Sequence, residues 1–448
     1  MSEEHFDVII VGCGAAGIAA GLDLQSSSIS SFTILEARDR IGGRAYTKKL
    51  DNVPIDLGAS WIHNFDPNNA LYKHMQCESL VDSVFPNDTV YYDYDGSQIS
   101  VIVLEQSEEI CEKLFDLVDE HRDKVLKEKE KDLSIAEVIE HAYNRELEGK
   151  SSQIKRTVDL ILSEVEQYEA SSLNQLSAAC YQNNNAEDMS EKYVQNGYGT
   201  VLEKLGANLP VRLNTNVTYI DASNSQLIKI CTNNSPNIVY HCKYLLITIP
   251  LGCLKNNTIE FCPPLPEWKL ASIKQMGYGL MNKIILQFSS NFWGNEGKYI
   301  NRTSNLIRGE FCFIFNLSKQ YELPNENCNI LALYVHGEFA YMLEKLTDDE
   351  IIEYAMQVLR RMYGTEIPKP LKYLITRWVS DSFAYGSYSH FSVNTTNETV
   401  VDLARECFTN CVHWAGEHTN HEGTIGYVQS AFESGQREAK KIIAKLTC

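Results

Sequence analysis

The chain has 448 residues, more than a single hydrophobic core usually serves, so two packed lobes are expected. With 44% hydrophobic and 22% charged residues, the composition excludes a disordered, collagen-like or membrane-embedded chain. Acidic residues outnumber basic ones, 59 to 40, and the net charge of -19 argues against nucleic acid as the partner and favours attraction of small cations.

The elements expected in chain order begin with a short β-branched strand, Phe6 to Val11, followed at once by Gly12-Cys13-Gly14-Ala15-Ala16-Gly17. Ile18 to Gln25 reads as a helix of small and aliphatic residues, and Phe32 to Leu35 as a second strand that ends at Glu36, completing a βαβ unit. Glu108 to Leu147 is helical and charged, with like pairs such as Glu108/Glu112 and Lys127/Lys131 beside the opposite pair Glu120/Lys124; a solvated surface is expected. Strands recur from Val211 to Pro250, with turn chemistry at Asn233-Asn234-Ser235-Pro236 and an apolar run from Tyr244 to Ile249. Leu280 to Phe288 alternates as a strand, which by itself would turn Lys283 and Gln287 to solvent. Thr347 to Glu350 reads as a capping box for a helix stopping before Gly364. A last strand, Cys411 to Ala415, precedes a long helix from about Gly426 to Lys445.

The fold class expected is α/β: a Rossmann-like dinucleotide-binding domain interleaved with an α+β substrate-binding domain. The first is assigned 1-77, 194-265 and 393-448, the second 78-193 and 266-392. Thirteen scattered cysteines without CxxC pairs or Cys/His metal spacing read as thiols of a cytoplasmic protein, and no metal is expected. The sequence shows no secretory leader, no apolar run near the ~20 residues a bilayer requires and no peroxisomal ending, so no membrane partner is expected. Nothing in the sequence specifies an oligomeric state.

The glycine run gains meaning from its context. It follows a strand, opens a helix, and has an acid, Glu36, 24 residues after Gly12. Gly12 permits the tight turn, Gly14 the approach of a pyrophosphate, Gly17 close helix packing, and Glu36 can accept from ribose hydroxyls. An acid at 36 favours FAD or NAD over NADP.

Beyond it, Leu35-Glu36-Ala37-Arg38-Asp39-Arg40-Ile41-Gly42-Gly43-Arg44 resembles the corresponding segment of the flavin-dependent amine oxidase family. The likeness continues in Asp56-Leu57-Gly58-Ala59-Ser60-Trp61-Ile62-His63, in Trp414-Ala415-Gly416-Glu417-His418-Thr419 and in Gly426-Tyr427-Val428-Gln429-Ser430-Ala431, so it covers essentially the whole chain. The Trp-Ile-His version is most similar to polyamine and spermine oxidases.

The resemblance implies FAD as cofactor, with Gly12, Gly14, Ala16, Gly17, Glu36, Arg38 and Gly43 around the adenosine and pyrophosphate, and Arg44 on the pyrophosphate. Gly58, Ala59, Ser60 and Trp61 would line the isoalloxazine, Val217 would present its backbone to adenine, and Trp378, Gly416 and Glu417 would complete the contact. Tyr427 and Val428 would bring the N-terminus of the last helix to the flavin, where its partial positive charge stabilises an anionic ring. Where monoamine oxidases carry a flavin-linked cysteine this chain has Ser387, so the FAD is expected to be non-covalent.

Tyr388 and Tyr427 match the family's cage aromatics, Lys283 its lysine on the oxygen side of the flavin, and His63 a substrate contact. Among Glu164, Glu166 and Glu169, Glu166 is the residue expected to catch a distal ammonium. The implied activity is oxidation of a secondary amine of spermine, spermidine or an N-acetyl form, by hydride transfer to the flavin. Hydrolysis of the imine then gives an aldehyde and a shorter amine, and O2 becomes hydrogen peroxide.

The alternatives are an L-amino acid or monoamine oxidase and a non-catalytic flavin protein. No arginine in these motifs is clearly free for an amino acid carboxylate, and no apolar anchor like that of the monoamine oxidases is seen. The family's demethylases carry a helical insertion and extra domains, for which this length leaves no room.

Overall fold

The computed structural model describes residues 2–27, 29–76, 78–82, 88–181, 191–224, 226–233, 238–294, 297–321 and 328–447. The expected turn at 233–236 therefore lies, past Asn233, outside the described residues.

Among these residues the larger sheet has eight strands. Ser2–Val11 is central, flanked in parallel by Phe32–Leu35 and by Ile238–Ile247, and Val211–Arg212 extends the sheet in parallel beyond Phe32–Leu35. The long strand Ile238–Ile247 is shared on its far edge: its first half pairs antiparallel with Ile228–Thr232, its second half parallel with Val412–Trp414. All three strands expected from apolar runs near the ends of the chain belong to this one sheet.

The carboxyl ends of these strands and of Ile238–Ile247 run out side by side, at Gly12, Glu36, Thr248 and Ala415. In an open parallel sheet that edge is where a ligand crevice forms, because the turns diverge there and helix N-termini point in. The helices Ala15–Ser26 and Val428–Thr447 lie against each other beside the sheet, and the contact is as close as it is because of glycine. A Cβ on Gly435 would stand 2.1 Å from the Ala16 carbonyl oxygen, and one on Gly17 equally near that of Gly12.

The second sheet has six strands, in the order Lys372–Ile375, Met281–Gln287, Ile330–His336, Phe313–Asn316, Tyr299–Arg302 and Thr89–Tyr92. Met281–Gln287 is an inner strand buried on both faces, so Lys283 and Gln287 are not turned to solvent: they are 3% and 7% exposed. Alternation misleads here because both faces of the strand are covered.

The charged stretch expected as one solvated helical surface is two helices, Val101–Glu128 and Ile135–Glu146. Lys129 turns left-handed after the first, and a Ser134/Glu137 capping box opens the second. Together with Ser152–Glu169 they form a bundle whose core includes Ile110, Leu114, Val118, Ile139, Val158 and Leu162. The expected box at Thr347 and Glu350 is present and opens Asp348–Tyr363, which ends at Gly364.

A three-stranded sheet joins Trp61–Ile62, Lys192–Val194 and Leu80–Asp82. It spans the expected domain boundaries at 77 and 193. No described helix is long and apolar enough to cross a membrane.

Candidate active site

A cavity of about 1310 Å³ runs from the carboxyl edge of the large sheet to the face of the second. At its first end lie the glycines. Gly12 has φ +101°, a conformation a side chain rarely adopts, and a Cβ there would stand 2.7 Å from Thr248 Oγ1. Gly14 differs: a Cβ on it would meet nothing within 4 Å, so its backbone faces open space into which a ligand can come close. Glu36, at the end of the second strand, accepts from the Cys13 N–H at 2.7 Å and from the Arg38 N–H at 2.8 Å. Burial pushes its carboxyl up despite those bonds, and each oxygen keeps a second lone pair. Arg38 holds Asp381 through two nitrogens, at 2.9 and 3.0 Å.

Arg44 is fixed by three elements distant in sequence. Its Nη1 donates to the Ser387 carbonyl at 2.7 Å, to Glu417 Oε1 at 2.8 Å and to the Tyr278 hydroxyl at 3.3 Å. Burial alone would raise the Glu417 carboxyl, but the Arg44 guanidinium, His418 and the Ser389 hydroxyl hold it below its ordinary value. Glu417 also accepts from the Gly426 N–H at 3.1 Å, and the helix Val428–Thr447 starts two residues later, with Tyr427, Val428 and Ala431 lining the cavity. The first N–H groups of a helix lack intrahelical acceptors, which makes this end receptive to negative charge. The open space over Gly14, an acid at the second strand end and two helix N-termini form a donor set that fits a dinucleotide. Ala16, Gly43 and Val217 line the same stretch, and Gly416 lies beside Glu417.

Toward the other end the walls become aromatic. Trp61 packs edge-on against Phe315 and Tyr334, and Trp378 donates its indole N–H to the Leu57 carbonyl at 3.3 Å. Gly58 lies so close to the chain that a Cβ would stand 1.7 Å from the Arg44 carbonyl oxygen. Lys283 Nζ donates to the carbonyls of Asp56 and Gly58, at 2.9 and 2.6 Å, and to the Ser60 hydroxyl at 2.6 Å. Burial pushes the amine down to about 7, with Asp56 acting in the opposite direction. Nζ thus faces three acceptors, all within the segment Asp56 to Ser60. Ser387 is locked as well: its hydroxyl accepts from the Met281 N–H and donates to the Met281 carbonyl.

Tyr388 donates its hydroxyl to the carbonyls of Gln167 and Tyr168, and the hydroxyls of Tyr168 and Tyr427 are hydrogen-bonded to each other. His63 stands edge-on to Tyr427, with ring centroids 4.6 Å apart, and its Nδ1 is 2.6 Å from Glu191 Oε1. Two further acids, Glu164 and Glu169, line this end, and each carboxyl is pushed up to about 7. For Glu164 burial is the larger cause and the neighbouring Glu108 the next; for Glu169 the cause is burial alone.

The structure thus gathers Gly12, Gly14, Glu36, Arg44, Gly58, Trp61, His63, Lys283, Tyr388, Glu417 and Tyr427 around one cavity. It does not bring Glu166 there. Glu166 continues the apolar stripe of Val158 and Leu162 at four-residue spacing, and is 5% exposed. Its carboxylate is bound by Arg308 at 3.0 Å and by the Leu173 N–H at 3.0 Å, so it is not available to a ligand. Tyr168 and Glu191 escaped the reading of the sequence. Glu191 could have been found only by pairing the strand around 192 with the one around 62.

Two groups of metal-compatible side chains occur among the described residues, Glu3/His5/His241 and Glu406/His413/Glu438, both away from the cavity. In the second, Glu438 is already held by His413, Arg437 and Lys441.

The fold and the cavity define a flavin-binding α/β protein. Residues 15–443 match the family of flavin-containing amine oxidoreductases, and the chain belongs to it; its cofactor is FAD. It is 32% identical to polyamine oxidase 5 of Oryza sativa subsp. japonica over 396 residues, 85% of this chain and 77% of that protein. It is 30% identical to lysine-specific histone demethylase 1 homolog 3 of Arabidopsis thaliana over 506 residues, 97% of this chain but only 30% of the relative's length. Putrescine oxidase bound to putrescine has the same fold, with a TM-score of 0.78 at 18% identity, covering 99% of this chain and 100% of that one. The demethylases match about as well as the polyamine oxidases, so length alone does not separate this chain from them.

Proposed function

We propose that the protein is a polyamine oxidase acting on a secondary amine of spermine, spermidine or an N-acetyl form. One observation carries the reading: Glu169 lies in an aromatic cavity, and its side chain has no ion-pair or hydrogen-bond partner among the described residues. A buried acid in that state is relieved by a cation, and a polyamine brings one at a fixed distance from its reacting nitrogen. Glu169, not Glu166, then takes the distal ammonium, with Glu164 one to two turns earlier in the same helix.

The reacting nitrogen needs a lone pair, whereas a free alkylamine, like lysine, titrates near ~10.4. A cage of Tyr388, Tyr427 and Trp61, with the more exposed Tyr168 at its rim, favours the neutral form by desolvation. The chemistry supplied by bound FAD is two-electron oxidation at the carbon beside that nitrogen, with O2 as the final acceptor and hydrogen peroxide as product; water then splits the imine into an aldehyde and a shorter amine.

Glu36 would hold ribose hydroxyls, Gly14 and Arg44 the pyrophosphate, and Val217 the adenine, while Lys283 keeps the flavin-lining segment Asp56 to Ser60 in place on the oxygen side. With serine at 387, no thiol is present there for a thioether, which supports non-covalent FAD. The three chain segments of the large sheet would form the FAD domain, and the six-stranded sheet with the helical bundle the substrate domain. Polyamine oxidases among the relatives support the reading.

Anaerobic addition of spermine, spermidine and N-acetylspermine should bleach the yellow absorbance, and mass spectrometry of the products should give an aminoaldehyde and a shortened amine. Absence of bleaching by all three would overturn the reading, and bleaching by a lysine-methylated peptide instead would favour the demethylase relatives.

A further inference from the structure

His63 and Glu191 meet because of strand register. Trp61 pairs with Tyr193 and Ile62 with Lys192 in an antiparallel ladder, so the next step places His63 opposite Glu191. Their side chains are in contact at 2.6 Å, inside the wall of the cavity. In a hydrogen bond that Glu191 accepts, the imidazole carries its proton on Nδ1. The other ring nitrogen, Nε2, has no hydrogen-bond partner among the described residues and is left with its lone pair. Among the described residues Tyr427 and Tyr168 also crowd the ring, with ring centroids 4.6 and 6.1 Å away, and Glu169 and Tyr388 stand behind them. The main chain is pinned too, the His63 carbonyl accepting from Asn69 at 2.9 Å and from Gln429 at 3.4 Å.

We propose that Glu191 is a positioning residue that fixes His63 as the Nδ1–H tautomer, so that Nε2 takes the proton from an incoming alkylammonium. The inference rests on the amine-oxidising role proposed above. An amine arriving from water is protonated, and desolvation alone disfavours that charge without giving the proton a destination. In the step inferred here the ammonium N–H bond breaks, its electron pair stays on nitrogen as the lone pair that oxidation requires, and the proton bonds to Nε2. The imidazolium so formed is balanced by Glu191, and total charge is conserved. Glu191 acts through the His63 ring that it holds.

The test uses the FAD-loaded enzyme with 15N-labelled histidine, the His63 signals being identified by their loss in His63→Asn. The ring of the unsubstituted enzyme should carry its proton on Nδ1, and Glu191→Gln should show a mixture of both tautomers. In anaerobic stopped flow at saturating spermine, Glu191→Gln should slow reduction by roughly tenfold to a hundredfold, with amine affinity changed less than about twofold, and Glu191→Asp should restore most of the rate. A ring protonated on Nε2 in the unsubstituted enzyme would overturn the proposal, as would a Glu191→Gln enzyme reduced at the full rate. If no polyamine reduces even the unsubstituted enzyme, the substrate reading fails, and the role of Glu191 is then decided by the ring spectra alone. Thermal unfolding of the variants, with their FAD content, separates loss of positioning from loss of fold.

Discussion

The two ends of the cavity are built by opposite means. The nucleotide end is made of backbone: glycines that bring chain against chain, strand ends, and helix N-termini, with Glu36, Arg44 and Glu417 already bonded inside the protein. The amine end is made of side chains from separate elements: Trp61 from a short strand and His63 just after it, Tyr168 and Glu169 from the end of a helix, and Tyr388 and Tyr427 from two loops. The first end is a fixed mould that tolerates little. The second is a set of walls that can be altered one at a time while the mould stays intact.

That contrast can be broken most severely at Gly17. A Cβ there would stand 2.1 Å from the Gly12 carbonyl oxygen, so Gly17→Val should give colourless or insoluble protein, whereas Tyr427→Phe should stay yellow; absorbance at the flavin band checks both. Next is Lys283→Met, which leaves two carbonyls and the Ser60 hydroxyl without their donor, at about 1–3 kcal/mol for each group that finds no other partner. It should slow the return of colour on admitting air more than the bleaching by amine, as two stopped-flow traces would reveal.

The same variant tests a pH effect. In the folded protein burial holds Lys283 at about 7, below its ordinary 10.5. Between those values the unfolded chain binds more protons, so this residue makes stability rise with pH across that window. Urea unfolding at about pH 7 and about pH 10 should show a smaller gain in Lys283→Met than in the unsubstituted protein.

A pair of acids sharpens the comparison further. Glu169→Gln should raise KM for spermine about tenfold, the ~1.4 kcal/mol of one lost ammonium contact, with little change in melting temperature. Glu166→Gln should do the reverse: about 1–3 kcal/mol of stability lost, after discounting for the partly exposed Arg308, and KM unchanged. The smallest effect expected is on encounter. With a net charge of -19, kcat/KM for spermine should decline as salt is added, and a flat response would remove steering from the account.

The mould was readable because its geometry is local. A turn that needs Gly12, an approach that needs Gly14 and an acid at the next strand end fall within one βαβ unit, so spacing alone locates them. The walls were readable only in part. Tyr388, Tyr427, Lys283 and His63 follow from family resemblance, but Tyr168 and Glu191 enter through a helix end and a strand pairing that no spacing encodes. Glu166 misled because three acids on one helix differ only in rotation: Glu164 and Glu169 turn to the cavity, while Glu166 shares the core stripe of Leu162. Lys283 shows the same limit, since alternation assumes one wet face and Met281–Gln287 has none.

The close seating of Gly435 on Ala16 has a consequence for the order in which the protein is made. The ribosome releases the glycine turn long before the helix Val428–Thr447, yet the two must touch before the crevice has all its sides. A nascent chain can therefore offer the cofactor half a berth but cannot enclose it until that helix has emerged. Truncation before residue 428 would leave an apoprotein however well the first strands had formed.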